Sequence, residues 1–217
     1  MPQGLFIAAT DTGAGKTYIA SRLAAALTAR GMRVAVRKPV ESGCPEIEGQ
    51  LFAQDAERLR LAAGAWEDRA CICPYPLREP LSPPRAARFM KRKLYLHELQ
   101  VACHAPEACD FLLVEGAGGL FAPLAEDGLN ADLAAALGLP LLLVVPDQLG
   151  AINQALLGIH AVTHRGLKLA GVALNQVQST QPRGMDNFAD LRLWTGAPLI
   201  RVKHQEDAAA ILEGLSV

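Results

Sequence analysis

Leu5-Phe-Ile-Ala-Ala-Thr-Asp-Thr-Gly-Ala-Gly-Lys-Thr17 is an apolar run, a glycine turn ending in Gly15-Lys16-Thr17, and the start of a helix-forming segment. That order makes a cradle for an anion. Small residues let backbone N–H groups close around the anion, and the following helix aims its positive dipole end at it. From such a loop a lysine in the place of Lys16 reaches the β- and γ-phosphates of a nucleotide, and a hydroxyl in the place of Thr17 ligates Mg²⁺. The ordinary phosphate-binding loop has four residues between its glycines, which would require a glycine where this chain has Thr10. The loop is therefore read as a variant with looser spacing, together with its neighbours.

Outward from this loop, apolar runs alternate with helical patterns. Strands are expected at Leu5–Ala9, Val34–Lys38, Phe111–Glu115, Leu141–Val145, Ala170–Leu174 and Leu199–Val202. Helices are expected at Thr17–Arg30, Ala53–Ala63, Leu94–His104, Ala131–Leu137, Ala151–His164, Met185–Trp194 and Ala208–Leu215. Gly31, Gly138 and Gly166 each follow a helical segment, where a left-handed cap is wanted. The four middle strands are almost continuously apolar, as in a parallel sheet covered on both faces. The expected fold is α/β: a single-domain, P-loop NTPase-like, doubly wound and mostly parallel sheet with helices on both faces. It spans residues 1–217, with ligand groups collecting at the strand C-termini. The proline-rich segment Cys71–Arg88 is the one long irregular stretch and is expected to be a functional loop.

Length and composition narrow the function classes. A chain of 217 residues suits one domain with a sizeable core. A net charge of −1 gives no electrostatic case for nucleic-acid or membrane binding. The first residues enter an apolar strand with no basic leader, and the longest apolar run, Leu139–Pro146, is too short to span a bilayer. Cysteines number five, an odd count, and Cys71 and Cys73 are separated by one residue rather than the two of a metal or redox pair. Free thiols in a reducing cytoplasm are expected. His160 and His164 stand four apart on a helical segment, but Ala161 replaces the glutamate of a zinc protease, so a surface or packed pair is expected.

Strand ends supply the other chemical candidates. Phe111-Leu-Leu-Val-Glu115 delivers a carboxylate to the mouth of the sheet, where nucleotide-hydrolysing enzymes of this kind hold Mg²⁺. Gly116-Ala-Gly-Gly119 then lets backbone approach a ligand closely. Asp55 opens a helix and by itself reads as a cap. Lys38 ends the second strand, and Pro39 and Gly43 bend the chain so that Lys38 and Ser42 can face one pocket.

In chain order these are Thr10-Asp-Thr-Gly-Ala-Gly-Lys-Thr17, Lys38-Pro-Val-x-Ser-Gly43, Asp55, Pro74-Tyr75 with Glu79-Pro-x-Ser-Pro83, Val114-Glu-Gly-Ala-Gly-Gly119, Leu149-Gly-x-Ile-Asn153 and Asn175. Over most of its length, the chain thereby resembles the dethiobiotin synthetases. The resemblance implies an ATP-dependent ring closure in which CO₂ and 7,8-diaminononanoate give dethiobiotin, ADP and phosphate. It implies that Thr12, Gly13, Ala14, Gly15, Lys16, Thr17, Gly118 and Asn175 bind nucleotide, with Asn175 reading the adenine. Thr17, Asp55 and Glu115 would form an all-oxygen Mg²⁺ shell, which suits that hard ion. Lys16, Lys38, Thr12 and Ser42 would carry catalysis. Ser42, Gly118, Gly150, Asn153 and Phe188 would bind the substrate, whose carboxylate sits on a helix N-terminus at the interface of a homodimer. The chemistry needs cations, because a carbamate anion must attack a γ-phosphate anion.

This chain departs from the family pattern in three places. Ala9 stands where many relatives have glycine. Phe188 stands nearest a tyrosine that in some relatives reaches across the dimer, and a phenyl ring cannot donate that hydrogen bond. Arg201-Val-Lys-His204 lacks a proline that helps frame the base. Two other classes compete with this resemblance. The amidating synthetases of corrin biosynthesis usually carry a glutaminase domain, for which 217 residues leave no room. Chromosome-partitioning and Min-type ATPases place a second lysine where this chain has Asp11.

Overall fold

The structure, a computed structural model, describes residues 3–204 together with Ile211 and Leu215. The first half contains β1 (Gln3–Ala9), α1 (Lys16–Ala29), β2 (Val34–Arg37), β3 (Val40–Ser42), β4 (Glu46–Ile47), β5 (Gln50–Leu51), α2 (Gln54–Ala62) and α3 (Arg69–Ile72). Then come β6 (Tyr75–Leu77), α4 (Pro83–Phe89), α5 (Leu96–Ala102), β7 (Phe111–Glu115), β8 (Pro123–Ala125) and β9 (Gly128–Leu129). The chain continues through α6 (Asn130–Leu137), β10 (Leu141–Pro146), α7 (Ala151–His164), β11 (Leu169–Asn175), α8 (Asn187–Leu191) and β12 (Leu199–Val202).

The six expected strands form one sheet in the order β12-β11-β10-β1-β7-β2. Every pairing in it is parallel. Strand β1 lies between β7 and β10; the connection after β1 runs to β2 on one side and the connection after β10 runs to β11 on the other, which opens a crevice at the C-terminal ends of β1 and β10. Its residues alternate strictly. Leu5, Ile7 and Ala9 enter a core with Ile19, Leu23 and Leu59, while Phe6 and Ala8 enter a second core with Leu99, Leu133 and Val162. This two-sided burial explains the unbroken apolar runs.

Element ends differ from expectation for local reasons. The helix over Met185–Trp194 contracts to α8 because the Asp186 carboxylate accepts from the Ala189 N–H at 3.1 Å and fixes the start. The helix over Leu94–His104 begins later, at Leu96, where the Glu98 side chain accepts from the Tyr95 N–H at 2.8 Å. Cys71–Arg88 is not one irregular loop. It holds the end of α3, all of β6, which pairs in parallel with β3, and most of α4. Pro83 and Pro84 start α4, since a preset φ and a missing N–H cost nothing in a first turn. The helix expected over Ala208–Leu215 falls outside the described residues apart from Ile211 and Leu215. Gly31, Gly138 and Gly166 all have positive φ at helix ends, as expected.

Candidate active site

The residues after β1 form a loop pinned at both ends. The Thr10 N–H donates to Val144 O at 3.0 Å, and the Asn175 amide nitrogen donates to Ala14 O at 2.8 Å. Gly13 and Gly15 have φ of 79° and 91°, and a Cβ at Gly15 would collide with Asn175 Nδ2. Glycine is thus required there on two counts. Helix α1 starts at Lys16 with no side-chain cap, so the N–H groups of its first turn remain available to an anion. The loop also meets the glycine-rich segment after β7. A Cβ built on Gly119 would lie 3.0 Å from Thr10 O, and one on Gly118 would lie 3.8 Å from Thr12 Oγ1.

Charged groups converge beside this cradle. Lys38 is 4% exposed, and its ammonium lies 3.0 Å from Asp55 Oδ2 and also contacts Glu115 Oε1. The Thr17 hydroxyl donates to the same Glu115 oxygen at 2.8 Å. Burial alone would lower the Lys38 pKa, but the charges of Glu115 and Asp55 outweigh it and keep the amine firmly protonated. Burial likewise opposes ionisation of Asp55, and Lys38 reverses that, holding the carboxyl below its ordinary range. Lys16 has weaker compensation: burial pulls it from 10.5 to about 8, with Glu115 opposing and Lys38 adding to the fall.

Among the described residues, three buried side-chain oxygens lack a hydrogen-bond partner: Thr28 Oγ1, Ser42 Oγ and Glu115 Oε2. Two of them belong to the candidate site, and an unpaired buried polar atom costs about 1–3 kcal/mol. A ligand that satisfies both would recover that cost. Glu115, Asp55 and Thr17 offer only oxygen donors, which match Mg²⁺. No cluster of three His, Cys, Asp or Glu forms a ready cage among the described residues.

The other expected residues sit farther out. Gly150, with φ of 91°, precedes the uncapped N-terminus of α7, and Asn153 is exposed in its first turn. The next residue, Gln154, lines a cavity of about 130 Å³ with Asp11, Thr12 and Gly13, so this turn opens beside the phosphate loop. Phe188 does not line that cavity. Its ring lies under the Arg201 guanidinium at 4.6 Å and borders a separate cavity with Arg192 and Leu199. Asn175 has a contact that its expected role does not include, the bond to Ala14 that closes the phosphate loop.

Two residues at the site escaped sequence reasoning. Asn130, buried at the start of α6, donates to Ala117 O at 2.6 Å and Gly119 O at 2.9 Å and accepts from the Ala117 N–H at 3.0 Å. An asparagine before an alanine-rich helix reads as an ordinary cap, which hid it. Glu41 accepts from the N–H groups of Asp55 and Ala56, at 3.0 Å each. Burial raises its pKa, and those two N–H groups oppose the rise. A charged residue within the short apolar-flanked strand β3 was its only sequence signal.

Comparison with known proteins bears on the fold and the family. The family described as an AAA domain matches residues 3–206. Among solved structures, a ParA family ATPase from Chlorobium tepidum TLS superposes with a TM-score of 0.53 at 15% identity, covering 99% of this chain and 90% of that one. The cell division protein FtsY of Thermotoga maritima gives 0.53 at 15% identity, covering 100% of this chain and 69% of that one. These likenesses establish the fold. The ATP-dependent dethiobiotin synthetase of Vesicomyosocius okutanii subsp. Calyptogena okutanii is 41% identical over 205 residues, covering 94% of this chain and 91% of the relative. That of Anaeromyxobacter dehalogenans strain 2CP-C is 40% identical over 210 residues, covering 96% of this chain and 89% of the relative. With its phosphate loop, its lysine–carboxylate cluster and this similarity along nearly its whole length, the chain belongs to the ATP-dependent dethiobiotin synthetase family.

Proposed function

We propose that this chain closes the cyclic urea of dethiobiotin at the crevice where the phosphate loop, Lys38 and Glu115 meet. One substrate amine adds to CO₂ and loses a proton, giving a carbamate. A carbamate oxygen attacks the γ-phosphorus of ATP, ADP leaves, and a carbamic-phosphoric anhydride forms. The second amine then attacks the carbonyl carbon, loses its proton and expels phosphate. No side chain need act as nucleophile, so the protein contributes position and charge.

The observation that carries this reading is Lys38, a protonated amine held in the wall of an anion cradle by two carboxylates. It offsets the repulsion between carbamate and γ-phosphate, assisted by Lys16 and the N–H groups of the first turn of α1. Thr17, Asp55 and Glu115 hold Mg²⁺, which when bound neutralises charge on the phosphates. The unpaired Ser42 hydroxyl and Thr12 bond the carbamate or amines. Asn175 reads the adenine with whatever part of its amide the loop does not use. The uncapped start of α7, Gly150–Asn153, receives the substrate carboxylate, and Phe188 packs near its far end without supplying a hydroxyl.

The functional unit is a homodimer with substrate at its interface, a reading supported by exposed Leu149 and Leu157 beside and along α7. One dethiobiotin synthetase-like unit over residues 1–217 is supported by the family match over 3–206. A cytoplasmic location is supported by free thiols at all five cysteines. Purified protein with Mg·ATP alone should hydrolyse little, and adding diaminononanoate with bicarbonate should release ADP and a cyclic urea in equal amounts. Vigorous hydrolysis without diamine, or turnover without dethiobiotin by mass spectrometry, would refute the reading.

A further inference from the structure

Glu41 is 7% exposed and takes no part in the reaction above. Each of its two oxygens accepts one backbone N–H. Oε1 accepts from the Asp55 N–H and Oε2 from the Ala56 N–H, each at 3.0 Å. Those amides are in the first turn of α2, where helices normally use a local Ser, Thr, Asp or Asn. Here the N-cap residue is Ala53, which makes no side-chain cap bond. The cap is supplied instead from β3, between Val40 and Ser42.

A remote cap does something a local one cannot. It ties the segment bearing Lys38 and Ser42 to the backbone of Asp55, whose side chain reaches back to Lys38 at 3.0 Å. A closed circuit results: Lys38 to Asp55 through side chains, Asp55 to Glu41 through its amide, and Glu41 to Lys38 along the chain. We propose that Glu41 is a positioning residue that fixes Asp55 against Lys38 and Thr17, and so sets the affinity of this site for Mg²⁺. The proposal rests on the reading of Asp55 as a metal ligand. A plain helix cap would stabilise α2 without governing metal affinity.

The test uses Glu41→Ala, Glu41→Gln and the pair Glu41→Ala with Ala53→Ser, which restores a local cap. Calorimetry with a non-hydrolysable ATP analogue, with and without Mg²⁺, reads the metal's contribution independently of turnover. Hydrogen exchange at the amides of Asp55 and Ala56 in the ligand-free protein reads the clamp itself. Glu41→Ala should speed that exchange and weaken Mg²⁺ about tenfold or more, the usual effect of losing a group that orients a ligand. Analogue binding without metal should stay within about twofold, since the phosphate loop makes no bond to Glu41. Glu41→Gln, which retains one acceptor and less disturbance of folding, should fall between. The added Ala53→Ser should recover thermal stability but leave Mg²⁺ weak. Recovery of both would reduce Glu41 to a helix cap, and unchanged Mg²⁺ affinity in Glu41→Ala and Glu41→Gln would overturn the proposal outright. If the parent protein made no dethiobiotin yet these calorimetric differences held, the clamp would stand and the assigned reaction would fall.

Discussion

Lys38 and Lys16 are both buried cations in one crevice, yet their surroundings differ enough to give them different pH behaviour. Lys38 has two carboxylate neighbours and stays charged, so Lys38→Ala should leave nucleotide affinity nearly intact and reduce kcat by about 2–4 kcal/mol of transition-state stabilisation. The same variant leaves Glu115, 1% exposed, without its counter-charge, and its metal-free melting temperature should fall while added Mg²⁺ restores part of the loss. Stopped-time ADP assays and thermal scans check the two halves, and a near-parental kcat would remove Lys38 from the mechanism. Lys16 titrates near pH 8 in the free protein. Bound phosphate favours its protonated form, so the complex holds a proton that the free protein releases above that pH. Metal-free ATP affinity should therefore fall as pH rises past 8, by up to about tenfold per pH unit. Folding stability carries the opposite sign: between about 8 and 10.5 the unfolded chain binds the proton that the folded chain has lost, so this lysine's contribution to stability rises with pH. Calorimetry across pH 7–10 separates the two trends, and a flat affinity profile would mean that Lys16 stays charged throughout.

At the scale of elements, the glycine-rich turn after β7 depends on Asn130 as much as on its glycines. A Cβ at Gly116 would collide with Asn130 Oδ1, so the turn is glycine because the amide fills its centre. Asn130→Ala should destabilise the fold by at least about 2 kcal/mol, since it strips partners from buried carbonyls and an N–H. Asn130→Asp should be worse, because a carboxylate keeps the acceptor but presents a charge to the carbonyls of Ala117 and Gly119. Urea unfolding ranks the variants, and equal midpoints would sink this account. Such residues also mark what the sequence left unread. All six sheet strands were legible because burial on both faces writes them as apolar runs, and the phosphate loop because glycine and lysine have few other reasons to occur together. The elements within Cys71–Arg88 were hidden because their prolines serve both loops and helix starts. Glu41 and Asn130 were hidden because each acts on backbone distant in sequence, and residue type alone does not name a distant partner.

For the whole molecule, the proposed dimer turns on the surface around α7. Leu149, just before the helix N-terminus assigned to the substrate carboxylate, and Leu157, midway along α7, are 87% and 63% exposed. Light scattering should give a dimer, and Leu157→Glu should yield monomers whose KM for the diamine rises while ATP binding persists. Monomeric parent protein with full activity would detach the substrate site from any interface.

Synthesis on the ribosome imposes an order that the sheet then reverses. Strand β1 emerges before the other strands of its sheet, but its neighbours β7 and β10 are Phe111–Glu115 and Leu141–Pro146. At about 5–20 residues per second, a nascent chain carries β1 without either neighbour on the order of ten seconds. Both its edges and both its apolar faces are meanwhile available to wrong partners. The loop that follows it waits longer still, because its two pins are Val144 and Asn175. A loop made before most of the sheet is therefore completed only when nearly all of the sheet has followed it.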